Sequence, residues 1–240
     1  MGDITIFKRH ELKYLLSDRQ REGFERDIQK EMIPDSHGES TVCNVYYDTD
    51  DFRIIRHSLE KPVYKEKLRL RSYGKVDENR NVFLELKKKY MGIVYKRRIH
   101  IRERDAFDFL SGRIDNPNHS QIGREIDYFI SSYPGLEAKV YLCYDRSAYF
   151  SSTDNSLRIT FDRNIRYRTD ELRLSFEPAG KRIISPEESL LEIKCADSMP
   201  LWLVKLLEKY DIKKVSFSKY GTAYTQMLTE RLNEHRGIFR

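Results

Sequence analysis

The most constraining feature of this chain is a set of alternating segments whose polar positions are charged rather than merely polar. In Tyr64–Ser72, Lys65, Lys67, Arg69 and Arg71 share one face, with Leu68 and Leu70 on the other. In Val82–Lys89, Glu85, Lys87 and Lys89 share a face with Phe83, opposite Val82, Leu84 and Leu86. Lys96, Arg98, His100 and Arg102 oppose Ile93, Tyr95, Ile99 and Ile101. Arg158, Thr160 and Asp162 oppose Leu157, Ile159 and Phe161, and Glu192 and Lys194 oppose Leu191, Ile193 and Cys195. Near the start, Arg9, Glu11 and Lys13 alternate with His10, Leu12 and Tyr14. Period-2 alternation predicts strands with one buried face.

Same-face neighbours on a strand stand roughly 6.6 Å apart. Two like charges at that distance repel by about 2–3 kcal/mol at an effective dielectric near 20. Exposure to salt solution reduces this to a few tenths. Two architectures meet the pattern. One is a sheet with a solvated basic face and helices on its other face. The other is a cupped or closed antiparallel barrel with an ionic, wet interior and helices outside. Only the second gives the charges a task, which is to wrap a multiply charged anion with a cation balancing the carboxylates.

Composition narrows the class. The 240 residues carry 44 Lys+Arg against 38 Asp+Glu, a net charge of +6, with 12% aromatic residues. A sizeable core is expected, and disorder is not. No window approaches ~18 consecutive apolar residues, so no membrane span is expected. Met1–Leu16 has no signal-peptide core. Cys43, Cys143 and Cys195 are scattered and odd in number, which predicts free thiols and a reducing, cytoplasmic setting. Metal-binding His pairs, a P-loop, a dinucleotide fingerprint and a hydrolase elbow are all missing.

Helical signals are fewer. Ser17 with Gln20 reads as a capping box, followed by a stripe of Phe24, Ile28 and Met32. Ile122, Ile126, Phe129, Ile130 and Tyr133 form a second stripe, closed by Pro134-Gly135. Pro200 opens a third helix containing Trp202, and Phe217, Tyr220, Tyr224 and Leu228 mark a fourth. Residues 115–120 and 170–188 read as loops, and residues 1–240 as one domain.

The order of short motifs is distinctive. It runs R-H-E-L-K-Y (Arg9–Tyr14), V-Y-Y-D-T-D-D-F (Val45–Phe52), K-L-R-L-R-S-Y-G (Lys67–Gly74), F-L-E-L-K-K-K (Phe83–Lys89) and V-Y-K-R-R-I (Val94–Ile99). C-Y-D-R-S-A-Y (Cys143–Tyr149), L-R-I-T-F-D (Leu157–Asp162), L-L-E-I-K (Leu190–Lys194) and F-S-K-Y (Phe217–Tyr220) complete it. This series resembles the catalytic domain of the vacuolar transporter chaperone (VTC) family of polyphosphate polymerases. That family lies within the triphosphate tunnel metalloenzymes, alongside the CYTH proteins. The resemblance implies an α+β fold: an antiparallel eight-stranded triphosphate tunnel β-barrel with helices packed around the outside. Where the CYTH branch has E-x-E-x-K, this chain has Arg9-x-Glu11-x-Lys13, which favours the VTC-like branch and leaves fewer carboxylates for metal.

The resemblance further implies an ATP-dependent polymerase that transfers the γ-phosphoryl group to a growing polyphosphate chain, with Mn²⁺ or Mg²⁺. Catalytic roles fall to Arg69, Arg71, Lys219 and Glu192. Phosphate binding falls to Arg9, Lys13, Lys67, Lys87, Lys96, Arg98, Arg146, Arg158 and Lys194, and metal binding to Glu192, Glu11 and Glu85. Tyr144 supports the site by hydrogen bonding. Glu11, Glu85 and Asp162 also fit a purely ion-pairing role. These residues suit phosphoryl transfer, in which positioning and charge stabilisation dominate. With Asp162, the lumen set holds twelve cations and four anions, +8, leaving −2 for the rest of a chain of net +6.

An inorganic or nucleoside triphosphatase and a non-catalytic polyphosphate or nucleotide sensor are alternatives on the same fold. Nucleic acid is not an expected partner, since RNP-type aromatics and a KH loop are absent. Coupling to transport across a bilayer would need a membrane partner.

Overall fold

The computed structural model describes residues 10–237 apart from His37, Gly92, Asn155 and Asp197, with side chains described as far as Glu234. Arg9 therefore lies outside the described residues. The elements run β1 (His10–Ser17), α1 (Asp18–Ile28), β2 (Met32–Pro34), β3 (Ser40–Asp48), α2 (Arg53–Leu59), β4 (Tyr64–Tyr73), β5 (Asn81–Tyr90) and β6 (Ile93–Arg102). There follow α3 (Glu103–Leu110), α4 (Gln121–Ser132), β7 (Glu137–Ser151), β8 (Arg158–Arg168), β9 (Lys181–Arg182), β10 (Glu188–Cys195), α5 (Leu201–Lys209) and α6 (Lys219–Gly237).

Eight strands form one curled antiparallel sheet in the order β1-β10-β8-β7-β3-β4-β5-β6, with β2 added to β7 and β9 to β8. The ring is not closed by hydrogen bonds between β1 and β6 among the described residues. A Lys87–Glu11 ion pair at 3.4 Å crosses from β5 to β1 instead. The free edge of β1 is partly covered, because the Val215 amide donates to the Lys13 carbonyl at 2.8 Å. The other edge, β6, carries Lys96, Arg97 and Arg98, charges that oppose edge-to-edge pairing.

The alternating pattern sorts the two faces as expected. On the convex side, Val45, Leu68, Leu70, Leu84, Leu86, Ile99 and Ile101 pack with Phe109 and Leu110 of α3 and with Ile126 and Phe129 of α4. A second convex cluster joins Leu16, Ile159, Phe161, Leu191 and Ile193 to Phe24 and Ile28 of α1 and Leu203 and Leu207 of α5. The capping box at Ser17 and Gln20 is formed. Helix α1 ends at Ile28, however, so Met32 is buried from strand β2 rather than from the helical stripe.

The fourth helical stripe packs within the concavity, not outside the sheet as the resemblance implies. Tyr220, Ala223, Tyr224 and Met227 of α6 pack on Val42, Tyr46, Leu142, Leu190, Ile165 and Tyr167, which are apolar residues of the concave face. Leu228 stays 40% exposed. Helix α6 thus fills one end of the concavity and leaves the ionic end open. A bulge in β8 makes this seat: Cys143 pairs with Arg166 while Asp145 pairs with Arg163. The extra residue, Asn164, takes φ 49° and donates to Asp145 at 2.9 Å. One inserted residue reverses the alternation, so acidic Asp162 and apolar Ile165 and Tyr167 all face inward.

Helices α2 and α3 lie in stretches that sequence patterning leaves among the strands. At seven and eight residues they are too short for a 3.6-residue period to declare itself. Helix α2 is held by Asp48, whose carboxylate accepts from the amides of Thr49, Ile54 and Ile55 and from the Tyr220 hydroxyl.

Candidate functional site

The open part of the concavity is a cavity of about 530 Å³. Its wall carries ten cations: Lys13, Lys67, Arg69, Arg71, Lys87, Lys96, Arg98, Arg146, Lys194 and Lys219. Two carboxylates, Glu11 and Glu192, share the wall with Tyr46, Tyr144, Ser218 and Tyr220. Strand register produces this density. Lys67 stands opposite Lys87 and Arg69 opposite Glu85, Glu85 opposite Arg98 and Lys87 opposite Lys96, and Lys13 opposite Glu192.

The arginines are held from behind. Arg69 Nε and Nη2 donate to Glu85 Oε2 at 2.9 and 2.8 Å, and its Nη1 donates to the Tyr46 hydroxyl at 3.0 Å. Arg71 donates to Asn44 Oδ1 at 2.8 Å and to the Tyr144 hydroxyl at 3.1 Å. Arg146 makes a bidentate pair with Asp162 at 2.6 and 2.7 Å. Each planar fork is thereby oriented before any anion arrives, which lowers the cost of binding one. Burial alone would raise Tyr46, yet Arg69 and Arg71 bring its hydroxyl below the usual range. Tyr46 also stacks on Tyr220, with ring centroids 4.6 Å apart.

Lys219 opens α6 at the back of the cavity. A cation at a helix N-terminus is unfavourable by itself. Here the carboxylates of Asp162 at 2.5 Å and Glu192 at 2.8 Å compensate it. Burial lowers the Lys219 ammonium, but these two carboxylates outweigh it and hold the group above its ordinary range. Tyr144 lies under both Lys219 and Arg146, 4.6 and 5.1 Å from its ring centre.

The four carboxylates divide into two kinds. Glu85 and Asp162 are buried behind the wall and tightly paired, Glu85 with Arg69 and also with Lys96 at 2.5 Å. Glu85 is placed to orient these cations rather than to ligate a metal. Glu11 and Glu192 line the cavity itself. Lys13 bridges them at 3.3 and 3.4 Å, and Arg146 and Lys194 reach Glu192 at 3.4 and 3.5 Å. Burial opposes ionisation of Glu192, but Lys219, Lys13 and Lys194 hold it well below the usual carboxylate range. Lys87 does the same for Glu11.

No group of three or more His, Cys, Asp or Glu that could cage a metal occurs among the described residues. Mg²⁺ and Mn²⁺ do not need one: they take one or two carboxylates and complete their shell with phosphate oxygens and water. Glu11 and Glu192, the two carboxylates on the cavity wall, fit that donor set.

Among the described residues, Lys67 and Arg98 have no carboxylate within ion-pair distance. Lys67 donates to Ser218 Oγ at 3.1 Å. Burial, with Lys87 and Lys13 nearby, pushes its ammonium down to about 7, and Lys96 is pushed down to about 8, chiefly by burial. A bound polyanion restores both protons. Below pH 7 Lys67 is already charged, so its effect on affinity is flat; above pH 7 binding must take up a proton and weakens as pH rises. Calorimetry of tripolyphosphate binding at pH 8, in two buffers of different ionisation enthalpy, is expected to show uptake of about one proton. Zero uptake or proton release would contradict it.

Arg158 does not line the cavity. It is the register partner of Lys194, but its side chain is 49% exposed and pairs with Asp35 at 3.0 Å. The ten lining cations and the four carboxylates leave +6, which is the net charge of the whole chain. Arg158 drops out of the expected lumen set by its position, and Arg9 lies outside the described residues. Patterning alone does not single out Asn44, Tyr46 and Ser218. Tyr46 was findable as the one aromatic in phase with the concave face of its strand.

A curled antiparallel sheet around a wall of cations, with helices packed on its convex side, defines a tunnel-fold protein with a basic lumen. The VTC domain family matches residues 8–228, and the chain belongs to it. Vacuolar transporter chaperone complex subunit 4 of Trypanosoma cruzi is 24% identical over 220 residues, covering 76% of this chain and 27% of that protein. The Schizosaccharomyces pombe subunit 4 is 28% identical over 149 residues, covering 53% of this chain and 20% of that protein. The chain thus spans about a quarter of the length of these relatives or less. In fold it is similar to a Hippeastrum protein described as an adenylyl cyclase with a dominant triphosphatase activity (TM-score 0.54, 16% identity, 90% of this chain and 95% of that one). A Vibrio parahaemolyticus protein assigned as an adenylate cyclase is similar in the same way (TM-score 0.52, 13% identity, 92% and 99%).

Proposed function

We propose that this domain is an ATP-dependent polyphosphate polymerase, transferring the γ-phosphoryl group of ATP to the end of a polyphosphate chain and releasing ADP. The observation that carries this reading is a cavity of about 530 Å³ whose ten cations include three arginine forks oriented from behind. The volume falls within the range of small-molecule sites. Fixed donors of this kind stabilise charge that spreads over the equatorial oxygens of a phosphoryl group in transfer.

In this reading Arg69, Arg71 and Arg146 grip phosphate oxygens bidentately. Lys13, Lys67, Lys87, Lys96, Lys194 and Arg98 neutralise the rest of the chain, and Lys219 keeps Glu192 in place. Glu192 and Glu11 would hold Mn²⁺ or Mg²⁺. Such a metal would supply Lewis-acid charge to offset the charge developing on the phosphates. The attacking group is a terminal phosphate oxyanion, which needs no base. The cavity wall carries no His, and both its carboxylates are held too acidic to serve as efficient proton acceptors at neutral pH. That favours a phosphate acceptor over water.

No helix among the described residues is long and apolar enough to cross a membrane. The domain is placed in the cytoplasm in this reading, with transport of product left to a membrane partner. Incubating the protein with ATP and Mn²⁺ tests the reaction. Chains on a polyphosphate-stained gel, with ADP released, are expected. Free phosphate without chains would replace the polymerase by a triphosphatase, and binding without turnover would replace it by a sensor.

A further inference from the structure

The ionic face of β4, β5 and β6 changes character at one end of the cavity. Two residues before Glu85 on β5, the same face carries Phe83, which is the register partner of Arg71 on β4 and of His100 on β6. Phe83 meets Tyr73 edge-on, with ring centroids 6.1 Å apart and planes at 87°. On its other side the His100 ring lies 4.6 Å away. The guanidinium of Arg98, a residue of the cavity wall, sits 4.9 Å over the Phe83 ring. A separate cavity of about 480 Å³ opens against Tyr73 and Phe83. Tyr73 is 57% exposed despite its size.

A solvated basic face has no use for this. Three rings in contact at the rim leave apolar surface in water where Lys and Arg occupy the equivalent positions further in. A flat aromatic ligand would cover that surface. Same-face positions are roughly 6.6 Å apart, so the rings begin one step beyond the charged layer of Arg69, Glu85 and Arg98. That is where a planar group tethered to a bound triphosphate would emerge. Arg98 can then serve both parts, stacking on an aromatic face and pairing with a phosphate.

We propose that Phe83, Tyr73 and His100 form a stacking shelf for the base of a nucleoside triphosphate whose phosphates lie in the cavity. The inference rests on the triphosphate reading of that cavity and adds to it an orientation. The base sits at the β4–β5–β6 rim, and the γ-phosphate points inward toward Lys13, Lys67 and Lys87. Stacking is tolerant of base identity, so GTP is expected to bind about as well as ATP.

The test compares two ligands by calorimetry with Mg²⁺ present: the β,γ-imido analogue of ATP and inorganic tripolyphosphate. Phe83→Ala is expected to weaken nucleotide binding about tenfold, at the low end for loss of a stacking aromatic, and tripolyphosphate binding less than twofold. Phe83→Leu, which keeps an apolar seat under Arg98, should lose as much, and Phe83→Tyr should recover wild-type affinity. Equal losses for both ligands would show that Phe83 only positions Arg98 and would overturn the shelf. Unchanged nucleotide affinity in both Phe83→Ala and Tyr73→Ala would overturn it as well. A wild-type protein that binds neither ligand would instead overturn the triphosphate reading, and the shelf with it.

Discussion

Arg69→Ala is expected to weaken tripolyphosphate binding by at least about a hundredfold. A hydrogen bond to a charged partner contributes about 1.5–3 kcal/mol, and a guanidinium gripping phosphate bidentately makes two. Arg69 is suited to this because Glu85 and the Tyr46 hydroxyl hold its fork still. The substitution also removes a partner from buried Glu85, and breaking a buried ion pair costs about 3–5 kcal/mol. Arg71, 3.9 Å away, and Lys96 still face that carboxylate. Arg69→Lys separates the two effects. It keeps a charge beside Glu85 but loses the fork, so it should fold with a near wild-type Tm and bind about tenfold more weakly. Binding by calorimetry and Tm by scanning fluorimetry check both variants. Wild-type affinity in Arg69→Ala would show that the lumen is misassigned.

Glu192→Gln is expected to lower metal-dependent turnover about a thousandfold, a loss typical of removing one key electrostatic group. It should preserve both the fold and the affinity for tripolyphosphate measured without metal. The amide keeps the shape of the side chain, and Lys219 retains Asp162 at 2.5 Å. Lys13, Arg146, Lys194 and Lys219 lose a shared counter-charge, so metal-free affinity should hold or rise. Rates at graded Mn²⁺, with metal-free binding alongside, distinguish the roles. Wild-type turnover would remove Glu192 from the reaction. Turnover and metal-free binding falling together would mean that Glu192 only positions Lys219.

Much of the site was legible because a strand has a period of two. Once Leu68 and Leu70 point into a core, Lys67, Arg69 and Arg71 must point the other way. The same logic placed Lys13, Lys87, Lys96, Arg98, Glu192 and Lys194 on one face from their neighbours alone. Alternation says nothing of depth along the axis. Arg158 has the right phase, yet it sits at the end of β8, where Asp35 is within reach. Glu85 has the same phase as Lys87, yet it lies under Arg69 and Lys96, so it braces the wall instead of lining it.

Alternation also fails wherever the chain inserts a residue. The bulge at Asn164 turns Ile165 and Tyr167 inward and gives α6 a seat within the concavity. No local pattern carries that outcome, because it depends on which strand lies beside which.

The sequence by itself determined which side chains share a face, that this face is ionic, and the surplus of positive charge on it. These follow from backbone geometry and composition, which act locally. Only the tertiary structure decided which carboxylates are buried braces and which face the cavity, that an ion pair rather than strand pairing links β5 to β1, that α6 fills one end, and that an aromatic rim stands at the other. Those depend on distances between residues far apart in the chain, and the energy of a charge depends on its partners and burial far more than on its identity.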